Sequence, residues 1–149
     1  MAFEQPSLKG RALRLLSGRE HSRAELERKL QRYEEEPGTL ALALDDLQAK
    51  GFISEQRVVE SVVNRRAAKL GASRVKQELQ AKGLAPEMVA EAVNALRASE
   101  LTRARDVWRK KYGQPPQDTD ERARQMRFLA NRGFGGDTIH RVVSGGEDE

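Results

Sequence analysis

The side chains with the most chemical capacity in this sequence are cations set in runs. Arg65, Arg66 and Lys69 close one stretch, Arg74 and Lys76 follow just across Gly71, and Lys82 ends the next. Arg105, Arg109, Lys110 and Lys111 crowd around Trp108, and Arg124, Arg127 and Arg132 lie farther on. Arg103 and Arg122 belong to the same runs. On a helix, Arg65 and Lys69 are i,i+4 neighbours on one face, as are Arg105 and Arg109. Unpaired cations on one face suit phosphates, which they neutralise with release of counterions. The competing reading is a solvated face of mixed charge. Cations are favoured near helix C-termini anyway, and Glu60, Glu78, Glu91 and Glu121 are at hand to neutralise them. Trp108 reads first as a core anchor and only second as a platform for stacking bases. No helix carries an Arg/Asn/Gln cluster where a recognition helix would read base edges. DNA binding, if present, is expected to lack strong sequence preference and to weaken steeply with salt.

Other chemistries find little material. The chain has no cysteine, which excludes disulfides, thiolate metal sites and Cys nucleophiles. Its two histidines, His21 and His140, would need carboxylate help to hold zinc. HSRAE (21–25) is not His-Glu-x-x-His, and His21 reads as a solvated or capping residue just before a helix. Asp45 and Asp46 are adjacent, so they diverge on a helix instead of converging for acid–base work. RGFGGD (132–137) follows a helical pattern and lacks Gly-Lys-Ser/Thr, so it reads as a helix–turn–helix connector and not a phosphate loop. No nucleophile–base–orienter set can be nominated. The expectation is a non-enzyme with no catalytic residue, cofactor or metal.

The elements that would carry these cations are helices. Charged residues make up 34% of the 149 residues, hydrophobics 38% and aromatics 5%. That is lean for one large core but suits slim helical modules, and five prolines without alternating Val/Ile/Tyr runs leave little for strands. No stretch approaches the ~18 apolar residues of a membrane span. The N-terminus, MAFEQPSLKGRALRLLSG, lacks the apolar core of a signal peptide. A soluble, cytoplasmic monomer is expected. The net charge of +4 is compatible with a nucleic-acid partner without establishing one.

Local signals divide the chain into nine helices. Ser22 and Glu25 have the spacing of a capping box before Leu26, Leu30 and Tyr33. Ser54 opens a helix with Val59, Val62, Val63 and Ala67 inward; Ser73 is expected to cap the next, with Val75 and Leu79 inward. Pro86 suits a first helical position before Val89, Val93 and Leu96. Asp118 and Glu121 are candidates for a second capping box. LQAKGF (47–52) and LQAKGL (79–84) suggest a repeat of about thirty residues, but they close helices in non-equivalent places. Each is expected to stop its helix through a left-handed glycine and a hydrophobic contact by Phe52 or Leu84. Aligning LQAKGL with LANRGF (129–134) gives a step of about fifty, which also brings Val89 onto Ile139 and Val93 onto Val143. A nearly equal step backward puts Val75 on Leu26 and Leu79 on Leu30. The chain therefore reads as all-α: three tandem three-helix, helix-turn-helix-like repeats at 8–53, 54–99 and 100–144, forming an elongated, curved array, with 145–149 a disordered acidic tail.

With that register, three stretches resemble the RecX family of regulatory proteins. They are ALRLLSGREHSRAELERKL (12–30), LDDLQAKGFISEQRVVESVVNRRAAKLGASRVKQELQAKGL (44–84) and RFLANRGFGGDTIHRVV (127–143). The resemblance implies tandem three-helix repeats without enzymatic activity. It also implies binding to the RecA recombinase, within the groove of the RecA filament on single-stranded DNA. Recombinase, ATPase and coprotease activities would be inhibited, by blocked filament extension or promoted disassembly. Homologous recombination, DNA repair and the SOS response would be tempered. Single- and double-stranded DNA are auxiliary partners on this reading. The thirteen cations named first are nominated as DNA- or RecA-binding residues on charge alone, since none carries over from the family. The alternative is an independent helical protein that binds nucleic acid without sequence specificity.

Overall fold

The structure, a computed structural model, describes residues 5–145, so all but the first residue of the expected tail lies outside it. Among the described residues there are nine α-helices and no strand. Helices α1 (Leu8–Gly18), α2 (Arg23–Leu30) and α3 (Thr39–Ala49) form the first unit, with a 3₁₀ turn, Gln31–Tyr33, prolonging α2. The second holds α4 (Glu55–Arg66), α5 (Ala72–Ala81) and α6 (Pro86–Ala98). The third holds α7 (Glu100–Lys111), α8 (Thr119–Asn131) and α9 (Gly136–Val143).

Each triple buries its own apolar cluster. Leu26, Leu30, Leu44 and Leu47 centre the first, Val62, Val75, Leu79 and Val93 the second, and Trp108, Leu129, Ile139 and Val143 the third. The predicted inward residues Val59, Val62, Val75, Leu79, Val89, Val93 and Leu96 are all buried, and Val63 and Ala67 are partly so. Cores this small stabilise a unit only marginally by themselves, so neighbouring units must support one another.

Caps explain most helix starts. The Ser22–Glu25 box forms in both directions, Ser54 accepts from the Arg57 backbone, and Pro86 occupies the first position of α6. Three expectations are corrected. Ser73 is not a cap, because α5 already begins at Ala72 and Gly71 holds the N-cap. Glu121 does not close a capping box, because its carboxylate accepts from the Gln117 backbone at 3.0 Å, although the Asp118 half is made. Phe52 remains 48% exposed while Ile53 is buried, so the helix stop after α3 is made by backbone alone, Phe52 N–H to Leu47 O at 2.9 Å.

Candidate basic interface between the second and third units

The units join by one recurring move, in which the C-terminal end of a middle helix docks on the start of the preceding middle helix. At the second junction the end of α8 meets the start of α5. The Gly71 N–H donates to the Arg132 carbonyl at 2.7 Å, and the Arg74 guanidinium donates to the Asn131 carbonyl. A Cβ on Gly71 would overlap the Gly133 carbonyl, so only glycine admits this approach. Orphan donors at a helix start must find acceptors, and here the neighbouring unit supplies them. Glu100 on α7 accepts from the Ala72 N–H at 2.9 Å with one oxygen, and from the Gly135 N–H at 3.4 Å with the other.

One turn on, Arg103 is a staple and not a surface cation. Its guanidinium donates to the Ala67, Leu70 and Leu96 carbonyls at 2.8, 2.6 and 2.8 Å, and to the Ser99 hydroxyl at 3.0 Å. It thus satisfies the ends of α4 and α6 from the third unit. Burial lowers its pKa, against the opposing influence of Glu100.

This packing gathers part of the cation set. Arg66, Lys69, Arg74 and Arg132 line one cavity of about 360 Å³, together with Phe128. The Arg132 guanidinium lies 4.9 Å from the Phe128 ring centre, and the Lys111 ammonium 5.7 Å from it. Four cations from two units therefore converge only because α8 docks on α5. Arg65 and Arg66 share Glu78 at 3.2 and 3.0 Å, so one of the glutamates expected to offset the charge does so. The other nominees lie elsewhere. Arg105 and Arg109 flank a separate cavity beside Trp108, with Arg109 also 3.9 Å from Asp106. Lys76, Lys110, Arg124 and Arg127 are exposed on α5, α7 and α8. Trp108 is a core anchor, its indole N–H donating to the buried Gln125 at 2.8 Å.

Lys82 belongs to the first junction, where the end of α5 meets the start of α2. The Ser22 hydroxyl donates to the Lys82 carbonyl at 2.5 Å, and the Lys82 ammonium lies 3.4 Å from Glu25. Burial, the largest influence on Glu25, pushes its carboxyl up. The Arg19 hydrogen bond at 2.7 Å, the Ser22 N–H at 3.0 Å and the Lys82 charge outweigh it and hold the pKa at about 2. Beside it, His21 is neither solvated nor a cap. It is 2% exposed, its Nδ1–H donates to the Arg19 carbonyl at 3.1 Å, and its Nε2 accepts from Lys29 at 2.9 Å. Burial first, then the charges of Arg19 and Lys29, lower its pKa and keep it neutral. Nothing local in HSRAE signals this. The acceptor carbonyl is two residues back, and the Lys29 partner is one helix length away.

No group of three or more His, Asp or Glu side chains among the described residues is placed to hold a metal. No helix among them is long and apolar enough to cross a membrane. Fold and site together define a tandem helical-repeat protein with a cation-lined junction. Family models for the first, second and third three-helix domains of RecX match residues 9–47, 54–93 and 98–143 in that order. The chain is 52% identical to a regulatory protein RecX from Leptothrix cholodnii over 96% of its length and 92% of the relative's. It is 50% identical to one from Herminiimonas arsenicoxydans with the same coverage. The crystal structure of RecX from Lactobacillus salivarius matches the fold with a TM-score of 0.77 at 18% identity, covering 93% of each chain. The chain belongs to the RecX family of regulatory proteins.

Proposed function

We propose that this protein binds the RecA recombinase, as a filament on single-stranded DNA, and inhibits filament extension, ATPase, strand exchange and coprotease activity. Recombination, DNA repair and the SOS response would be tempered in consequence. The observation that carries this reading is the ordered match of three RecX domains along nearly the whole chain. On this reading the protein acts by binding and not by turnover, as a cytoplasmic monomer whose units span 8–53, 54–99 and 100–144. The cavity cations Arg66, Lys69, Arg74 and Arg132 are the first candidates for contact with DNA phosphates or acidic RecA surface.

The test adds the purified protein to RecA and single-stranded DNA and follows ATP hydrolysis and strand exchange. Both should fall, and unchanged rates would sink the proposal. The convergent cavity cations also favour a second reading, independent nucleic-acid binding without sequence preference. Lys69→Glu with Arg132→Glu separates the two. Loss of RecA inhibition with the affinity and salt slope of DNA binding unchanged supports the first reading, and a parallel fall in inhibition and in that slope supports the second.

A further inference from the structure

A cavity lined by five cations lies in neither junction. It sits in the first unit, between α1 and the end of α2, and measures about 720 Å³. Arg11, Arg14, Arg28, Lys29 and Arg32 line it with Tyr33, and no carboxylate does. The ion pairs of this unit are made by other cations: Lys9 and Lys50 with Asp46, Arg19 with Glu25, and Arg23 with Glu27 and Asp45. Among the described residues none of the five cavity cations pairs with a carboxylate. Helix-end electrostatics accounts for Arg28 and Lys29 in the last turn of α2. It does not account for Arg11 and Arg14, since α1 has no basic residue in its last turn.

Four of the five side chains are held in place. The Arg11 guanidinium lies 3.7 Å over the Tyr33 ring, and Arg32 lies 4.7 Å from the ring centre while donating to the Tyr33 hydroxyl at 2.6 Å. The buried His21 fixes the Lys29 ammonium at 2.9 Å. Arg28 is anchored to the Ala81 carbonyl of the second unit at 2.9 Å. Leu15 and Leu30 supply an apolar floor. Glu35 and Glu36 line an adjoining cavity that shares Arg11, Arg32 and Tyr33 with this one but not Arg14, Arg28 or Lys29.

We propose that this cavity is a binding site for a single-stranded nucleic acid, with Arg14, Arg28, Lys29 and Arg32 on successive phosphates and the Arg11–Tyr33 stack facing a base. Phosphates alone would need only the charges. A guanidinium stacked on an aromatic ring, over an apolar floor, adds a flat surface that a nucleobase uses and a carboxylate side chain does not. The site lies outside the thirteen cations nominated from the sequence and does not depend on RecA.

The test measures binding of a fluorescent single-stranded oligonucleotide to the whole protein across a salt series, without RecA. The exposed pair Arg14→Gln and Arg32→Gln should lower the salt slope by about 1.4 and the affinity about ten-fold near physiological salt, at ~0.7 for each phosphate no longer neutralised on a single strand. A strand carrying a photoreactive thiobase should crosslink to the peptide that contains Tyr33. Unchanged affinity and slope in a variant with native circular dichroism would overturn the proposal. So would displacement of the strand, at equal charge concentration, by inorganic triphosphate or by polyglutamate. The first would mark a site for free phosphates, the second one for an acidic protein segment.

Discussion

The two junctions perform the same docking with different donors. Under the fifty-residue register Gly71 stands where Ser22 does, and Arg132 where Lys82 does. At the first junction a hydroxyl bridges to the Lys82 carbonyl, and the Arg19–Glu25–Lys82 ion pairs surround it. At the second the backbone N–H of Gly71 reaches the Arg132 carbonyl directly, and Arg103 and Glu100 complete the helix ends. With no side chain at Gly71 the two backbones meet without a bridge, and Arg132 and Lys69 line a cavity beside them. The outer ends do not repeat the docking. The helix α2 runs into a 3₁₀ turn without a basic-Gly stop, and α8 starts a turn early under the Asp118 cap.

The largest expected effect breaks the second junction. Arg103→Ala leaves three carbonyls without their charged donor, at ~1.5 kcal/mol each, so stability against urea should fall by about 4.5 kcal/mol. Hydrogen exchange should accelerate in the third unit before the first. A loss as small as that of an exposed arginine, under ~0.5 kcal/mol, would mean that Arg103 is not a staple. Gly71→Ala comes next, at about 3 kcal/mol, because the added methyl meets backbone that cannot rotate away. Gly18→Ala is the control, with nothing within 4 Å of the new methyl.

These two residues also mark where sequence reading stops. Helix count, unit register and the inward aliphatics were legible because they follow from spacing along one chain segment. Gly71 was legible as a helix boundary but not as a point of backbone contact, since Gly133 lies sixty-two positions away in another unit. Ser73 misled for a related reason: α5 already begins at Ala72, whose N–H is satisfied by Glu100 from another unit. Charge runs located Arg66, Lys69, Arg74 and Arg132 but not their convergence. They passed over Arg11 and Arg14, whose neighbours Arg28 and Arg32 come from another helix and the turn that prolongs it.

Ser22→Ala tests the first junction at an intermediate scale. The hydroxyl caps α2 and donates to the Lys82 carbonyl, so its loss should cost about 2 kcal/mol, one for the cap and one for the bridge. Ser54→Ala removes a cap alone, since its hydroxyl accepts only from Arg57, and should cost about 1 kcal/mol. Equal losses for the two serines would dissolve the distinction between a cap and an inter-unit bridge.

The acid response of the first junction has a sign that can be worked out from two groups. Glu25 titrates at about 2 in the folded chain and at ~4.3 when unfolded. The stabilisation it provides is therefore complete above ~4.3 and disappears as pH falls through 2. For His21 the folded pKa is depressed, so the unfolded chain takes up the proton first. Stability should begin to decline as pH drops below ~6.5, where the unfolded imidazole charges. The melting temperature of the wild type should thus fall in two steps on acidification. His21→Gln should remove the upper step while still accepting from Lys29, and Glu25→Gln should remove the lower one. If neither substitution changes the profile, the ionic character that sets the first junction apart contributes nothing to holding the units together.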